Sequence, residues 1–345
     1  MPQGIKRVLP QLVTLAFLVA LVSVFFPAFL QVDYSSGRFV GPVIDVLKRA
    51  APVALLSIGM TLVVATKGID LSVGTVIAIT GAVAAATLTA GYGIPAAIFM
   101  ALVAGLIAGL FNGTLVAFIG IQPIVATLIL MISGRGIAQL ITEGRILTFN
   151  APGFAWLGSG ALFGIPVPTV IWFLAAVIAI LVMRRTALGL LVEAVGVNMK
   201  AASLAGVNAR VLLIAVYMAS GLCAAVAGII TAADIRGADA NNAGLWLELD
   251  AVLATVIGGN SLLGGRFSIS ASVIGALIIQ TIDTGILLAG FPSEYNLVIK
   301  AALVVIILVM QSPNIVGDLK FFRQDFFRRG ASATTNDPAV RRGAK

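Results

Sequence analysis

The chain has 345 residues, 60% of them hydrophobic and only 10% charged, with a mean hydropathy of +1.09. Soluble domains carry about a quarter charged residues and need a polar skin around even a large core, so this composition excludes a soluble globular protein and identifies an integral membrane protein. There is no His, and Cys223 is the only Cys, which removes imidazole and thiolate metal sites, His proton relays and any intrachain disulfide. The formal net charge of +8 falls at the ends of apolar runs and in a basic tail. Such charge orients a membrane protein and meets anionic membrane lipid at about 1 kcal/mol per residue, so it needs no nucleic acid.

A membrane-crossing helix takes about 20 apolar residues. In chain order the apolar runs are 9–30, 43–66, 71–90, 95–119, 122–142, 167–183, 211–232, 251–263, 268–289 and 294–312. They predict an all-α membrane protein of about ten spans; the alternating strands of a barrel are absent. The first run is long and lacks a convincing A-x-A site, so it reads as retained. The organisation expected is one transmembrane domain, 1–312, and a basic tail, 313–345, polar and disordered in part beyond Gly330. With both termini inside, 15 of the 22 Lys and Arg fall on the cytoplasmic side; seven of these are in the tail, so the tail carries most of the bias.

Asp70 follows Lys67-Gly68-Ile69 at the start of the third run, where a carboxylate suits a helix N-terminus. Gly105, Gly109 and Gly113 recur every four residues, and Gly221, Ala224, Ala225 and Gly228 form a similar row; both read as close helix packing, within the chain or at a pore or dimer seam. A polar island, Glu193 to Asn208, stands between two apolar runs, with Arg184 and Arg185 before it and Arg210 after. It reads as a short cytoplasmic loop of small residues shaped to be gripped by another protein. The outer segment Asp234 to Asp250 is rich in groups that hydrogen-bond sugar hydroxyls or stack on sugar rings. Asn241, Asn242, Trp246 and Glu248 are its candidates, against the plain alternative of a hydrated loop. Gly258, Gly259, Gly264 and Gly265 bracket a turn expected near the inner surface. Asp283, beside Gln280, Thr281 and Thr284, is either a pathway residue or an interhelical hydrogen-bond site. No G-x-x-x-x-G-K-[ST] loop and no Ser/His/Asp set is present, so the chain shows no sign of hydrolysing ATP.

The segments Ala51–Gly74, Ile121–Asn150, Glu193–Gly228, Ala232–Arg266 and Thr284–Pro292 together resemble the membrane permease subunits of ribose-type sugar ABC importers, most of all the galactofuranose permeases. The likeness runs from about residue 43 to 312. It implies an ABC permease fold and no enzyme activity. The translocation pathway would be for a monosaccharide, galactofuranose or a related sugar, across a bacterial inner membrane. It implies three partners: a cytoplasmic ABC ATPase carrying ATP and Mg, a second permease in a heterodimer, and a periplasmic sugar-binding protein. No cofactor is implied on this chain itself. Carried over by position, the coupling segment, about 187–208, meets the ATPase through Glu193, Ala194, Gly196, Asn198, Ala201, Ala202, Ala205 and Gly206. Two departures are Lys67, where the family commonly has Gly, and Asn260, where Thr or Gly is frequent. The alternative is an ion-coupled sugar carrier with Asp283 as its coupling site. A membrane-embedded enzyme has no His, Cys pair or carboxylate cluster to draw on.

Overall fold

The computed structural model describes residues 3–35, 37–291 and 293–311; the expected tail, 313–345, lies outside them. Residues 1–300 form one compact unit, and a second begins at residue 301.

α1 (Gln3–Phe25) opens the chain, followed by a short 3-10 turn and a hairpin of β1 (Asp33–Ser35) and β2 (Arg38–Val40), with Tyr34 opposite Phe39. α2 (Pro42–Arg49) and α3 (Ala51–Ala65) meet at Ala50 with a bend of 41°. Pro52 sits in the first turn of α3, where its missing N–H is least costly. α4 (Val73–Thr89) and α5 (Ile94–Thr114) follow, and α5 runs into a π turn that ends at left-handed Gly120. α6 (Pro123–Thr142) leads to β3 (Leu147–Thr148) and α7 (Pro152–Ser159). The strands β4 (Ala161–Leu162) and β5 (Ile165–Pro166) then form a second hairpin before α8 (Val167–Arg185). The polar island folds as two short helices, α9 (Leu188–Val197) and α10 (Met199–Leu204). α11 (Ala209–Ile235) is the longest helix described, and β6 (Gly237–Ala238) after it pairs with β3. α12 (Leu247–Ile257), α13 (Ile269–Leu288) and α14 (Ser293–Gln311) complete the described chain.

Among the described residues six helices are long and apolar enough to cross a membrane: α1, α5 with its π turn, α6, α8, α11 and α13; the bent pair α2–α3 makes a seventh when counted as one span. Three of the ten expected runs differ from this. Run 71–90 is α4, at 17 residues. Run 251–263 is the 11-residue α12, which starts before the run and stops at its glycines. Within 294–312 the apolar helical stretch is Leu297–Ile306. Hydropathy alone does not separate a full span from a buried half-length helix, because both are apolar all round.

The core is built around α11, which packs on α3, α4, α5 and α7. Its apolar window is 61% buried, against 17% for α1 at the periphery. Small residues make this possible. A Cβ on Gly109 of α5 would lie 2.7 Å from the Met218 Cα of α11, and one on Gly113 would lie 2.8 Å from the Ile214 Cα. Both glycine rows are therefore spent inside this chain, α5 against α11, and Gly228 brings α11 against α4.

Candidate functional site

Two regions carry most of the unusual chemistry, and the first is the α9–α10 pair. Asn198 is the N-cap of α10, its Oδ1 accepting from the Ala201 N–H at 3.1 Å. The helix ends in a Schellman turn: Val207 N–H bonds to the Ala202 carbonyl and Gly206 N–H to the Ser203 carbonyl, with Gly206 at φ +88°. α9 rests on the end of α3. A Cβ on Gly196 would meet the Ala65 carbonyl, Gly265 N–H bonds to that same carbonyl at 2.9 Å, and Lys67 Nζ donates to the Val197 carbonyl at 3.1 Å.

Of the eight assigned coupling residues, Asn198, Ala201, Ala205 and Gly206 are exposed, and Glu193 and Ala194 are half-buried. Gly196 and Ala202 are buried and face the chain's own interior, so their small size serves internal packing. Leu204 is 91% exposed, with Val197 and Met199 also exposed nearby in sequence. Reading by small residues passes over these apolar side chains; the signal that finds them is a fully apolar residue in an otherwise polar island.

Between α3 and α4 the backbone is broken from Thr66 to Ser72. Lys67 there takes a left-handed conformation, φ +66°, which is uncommon for a residue other than Gly. Asp70 is buried, and it does not cap α4, whose N-cap is Ser72. Asp70 Oδ1 accepts from the Ser72 N–H at 3.1 Å and from Ser72 Oγ at 2.6 Å, while its Oδ2 accepts from Ser220 Oγ at 2.8 Å. Asn112 Nδ2 donates to Ser72 Oγ at 2.8 Å. Ser220 stands near the middle of α11, so this network ties the start of α4 to α5 and α11. Such irregular backbone is tolerated within a membrane protein where other protein covers it.

The second region is the segment between β6 and α12. Asp239 accepts from the N–H groups of Asn241 (3.0 Å) and Asn242 (3.1 Å) and from Asn242 Nδ2 (2.8 Å). These bonds, the Asn242 side chain's first, hold the Asp239 carboxyl below its ordinary range. Arg135 of α6 clamps the segment, its Nη1 donating to the Ala240 carbonyl at 3.0 Å and to the Ala243 carbonyl at 2.7 Å. Gln139 Nε2 donates to Asn241 Oδ1 at 2.7 Å. Trp246, left-handed at φ +67°, opens α12 and is half exposed.

The five sequence-predicted sugar or pathway residues thus separate. Asn241, Asn242 and Trp246 are exposed on one segment. Glu248 is buried, 3% exposed, and packed beside Gly74 at the start of α4. Asp283 lies elsewhere, with Lys300 Nζ 3.0 Å from its Oδ1 and 3.1 Å from Asp250 Oδ2. A carboxylate tied to an ammonium is a poor solitary coupling site, and the interhelical role fits this geometry. Lys300 is the partner that sequence reading missed, because fifty residues part it from Asp250 and no short-range pattern joins them. No group of His, Cys, Asp and Glu among the described residues is placed to hold a metal ion.

Comparison with known proteins identifies the family. Residues 43–308 match the family described as the permease component of branched-chain amino acid transport systems. The chain is 58% identical to the galactofuranose transporter permease protein YtfT of Escherichia coli K12, over 91% of this chain and 92% of that one. It is 40% identical to the fructose import permease protein FruF of Bifidobacterium longum, over 88% and 87% of the two chains. The ribose import permease protein RbsC of Escherichia coli K12 is 35% identical over 87% and 92%. No solved structure matches the chain. With a buried multi-helix core, a clamped segment ahead of α12 and an exposed helix pair in mid-chain, the chain belongs to this permease-component family and is a transport subunit rather than an enzyme.

Proposed function

We propose that this chain is one of two permease subunits of an ATP-driven importer whose cargo is a monosaccharide, galactofuranose or a close relative. The high identity to a galactofuranose transporter permease over nearly the whole length of both chains supports that cargo. In this reading the chain crosses a bacterial cytoplasmic membrane about ten times, α4, α12 and α14 adding to the longer helices, with both termini in the cytoplasm. A second, different permease completes the pathway, and a periplasmic binding protein delivers sugar on the side of Asn241, Asn242 and Trp246.

The observation that carries the reading is α10, a short capped helix standing out between two spans with Leu204 almost wholly exposed. A helix that presents an apolar residue and small neighbours suits a groove on a partner protein. The partner is an ABC ATPase, which binds ATP and Mg and moves the permease pair between outward and inward states through its unequal contacts with the two. Burying one Leu side chain is worth about 1.5–3 kcal/mol, so Leu204→Asp is expected to cut ATPase co-purification about tenfold or more. The chain's own unfolding temperature should stay the same. Wild-type recovery of the ATPase with Leu204→Asp would sink the coupling assignment. Uptake of labelled galactofuranose, compared with galactopyranose and ribose in cells carrying all subunits, tests the cargo separately.

A further inference from the structure

A cavity of about 1040 Å³ lies at the end of the molecule that carries α9 and α10. Its wall is made by the turn after α3, the π turn after α5, the start of α6, α10 and the first turns of α11. Three cationic side chains line it, Lys67, Lys200 and Arg210, and no carboxylate does. Among the described residues none of the three is in an ion pair. Lys67 is steadied by the Val197 carbonyl, and the Arg210 guanidinium lies 5.8 Å from the Phe118 ring centre. α11 begins on the same wall, so the positive end of a 27-residue helix adds to the field.

One polar atom of the wall has no protein partner. Tyr217 is fully buried, its hydroxyl makes no hydrogen bond, and it lines the cavity behind Gly68. A buried hydroxyl without a partner is unfavourable unless a ligand or water supplies one. The rest of the wall is largely aliphatic, including Val116, Ile121, Val195, Leu213 and the same Leu204 that is assigned to the ATPase contact. A neutral sugar has no use for three unopposed cations, whereas a phosphate ester with an apolar body matches both halves of the cavity.

We propose that this cavity binds a phosphate ester, the phosphate held by Arg210 and Lys200 with the Tyr217 hydroxyl as donor. Its principal source is the headgroup of an anionic phospholipid from the leaflet on the α9–α10 side, an acyl chain lying along the aliphatic wall. The site stands independently of which sugar the importer carries.

The test is thermal unfolding of the purified full chain in mild detergent. It is titrated with dioctanoyl phosphatidylglycerol, with dioctanoyl phosphatidylcholine as the zwitterionic control and glycerol 3-phosphate as the soluble phosphate ester. The anionic lipid is expected to raise the unfolding temperature well beyond the control, and Arg210→Gln to weaken its apparent affinity about tenfold, the value of one charge-assisted hydrogen bond. Tyr217→Phe should leave the lipid-free unfolding temperature unchanged or higher and still weaken the lipid effect. If glycerol 3-phosphate alone reproduces the shift in the same Arg210-dependent way, the site is supported and its source is a soluble ester. Equal shifts from the two lipids, or shifts of undiminished size in both variants, would overturn the proposal.

Discussion

Asn260 donates through Nδ2 to the Thr255 carbonyl at 3.0 Å and to Ser272 Oγ at 2.8 Å, and its Oδ1 accepts from the Ser268 N–H at 2.7 Å. One buried amide thus closes the break between α12 and α13. Gly at this position would remove all three bonds and leave the half-buried Ser268 N–H without its acceptor. Asn260→Gly is expected to cost about 2–4 kcal/mol, read as a lower unfolding temperature in detergent. Asp239 has a different character, half-buried and dependent on pH. Its folded pKa lies below the ordinary 3.8, so the stability it lends is whole above that value and is lost as pH falls through the folded one. Protection of the 240–246 amides, relative to their intrinsic exchange rate, should therefore fall below about pH 4, where the carboxylate begins to protonate. In Asp239→Asn that step should be absent, and an unchanged step would show that another group titrates there. At this scale the sequence made residue types legible and their partners obscure. Asp283 read as a lone polar acid until Lys300 was found against it, and Glu248 as an outer-loop residue until it was found buried beside Gly74.

Among the elements, the glycine rows were legible as close packing from spacing alone. Which surface they served was not, because a row of glycines looks the same against α11 as against a second subunit. The geometry gives a paired prediction. Gly109→Val would drive a branched side chain into the Met218 backbone and should destabilise the chain by about 2 kcal/mol or more. Gly136→Ala on α6, where a Cβ meets nothing within 4 Å, should be neutral or stabilising by about 0.5–1 kcal/mol. Thermal unfolding of the two purified variants side by side checks both, and equal effects would refute the packing account. α12 stops at the glycines that the sequence marked, but it begins four residues before the apolar run. Its apolar run extends into Gly258 and Gly259, and only the left-handed Trp246 and those glycines mark where the helix begins and stops.

For the molecule as a whole, the class, the permease likeness and the outstanding helix pair were readable because composition and the island do not depend on distant contacts. The buried charge triad was not. Lys300 joins α14 to Asp250 of α12 and Asp283 of α13, with side-chain exposures of 10%, 12% and 20%. Removing the cation would leave two carboxylates facing each other in a poorly solvated place. Lys300→Met is therefore expected to cost about 3–5 kcal/mol. Lys300→Met with Asp250→Asn and Asp283→Asn should recover most of that loss, and a triple variant as unstable as the single would argue against the triad as a unit.

The break between α3 and α4 bears on how well the protein insulates. A bilayer resists ions through the thickness of its hydrocarbon, about 30 Å. At the level of Asp70 and Ser220 that layer is interrupted from within by polar backbone, and the start of α12 reaches the same level, the Gly244 and Gly74 backbones in direct contact. The two segments meet there through glycine backbone alone, so a side chain added at Gly74 or Gly244 would force them apart.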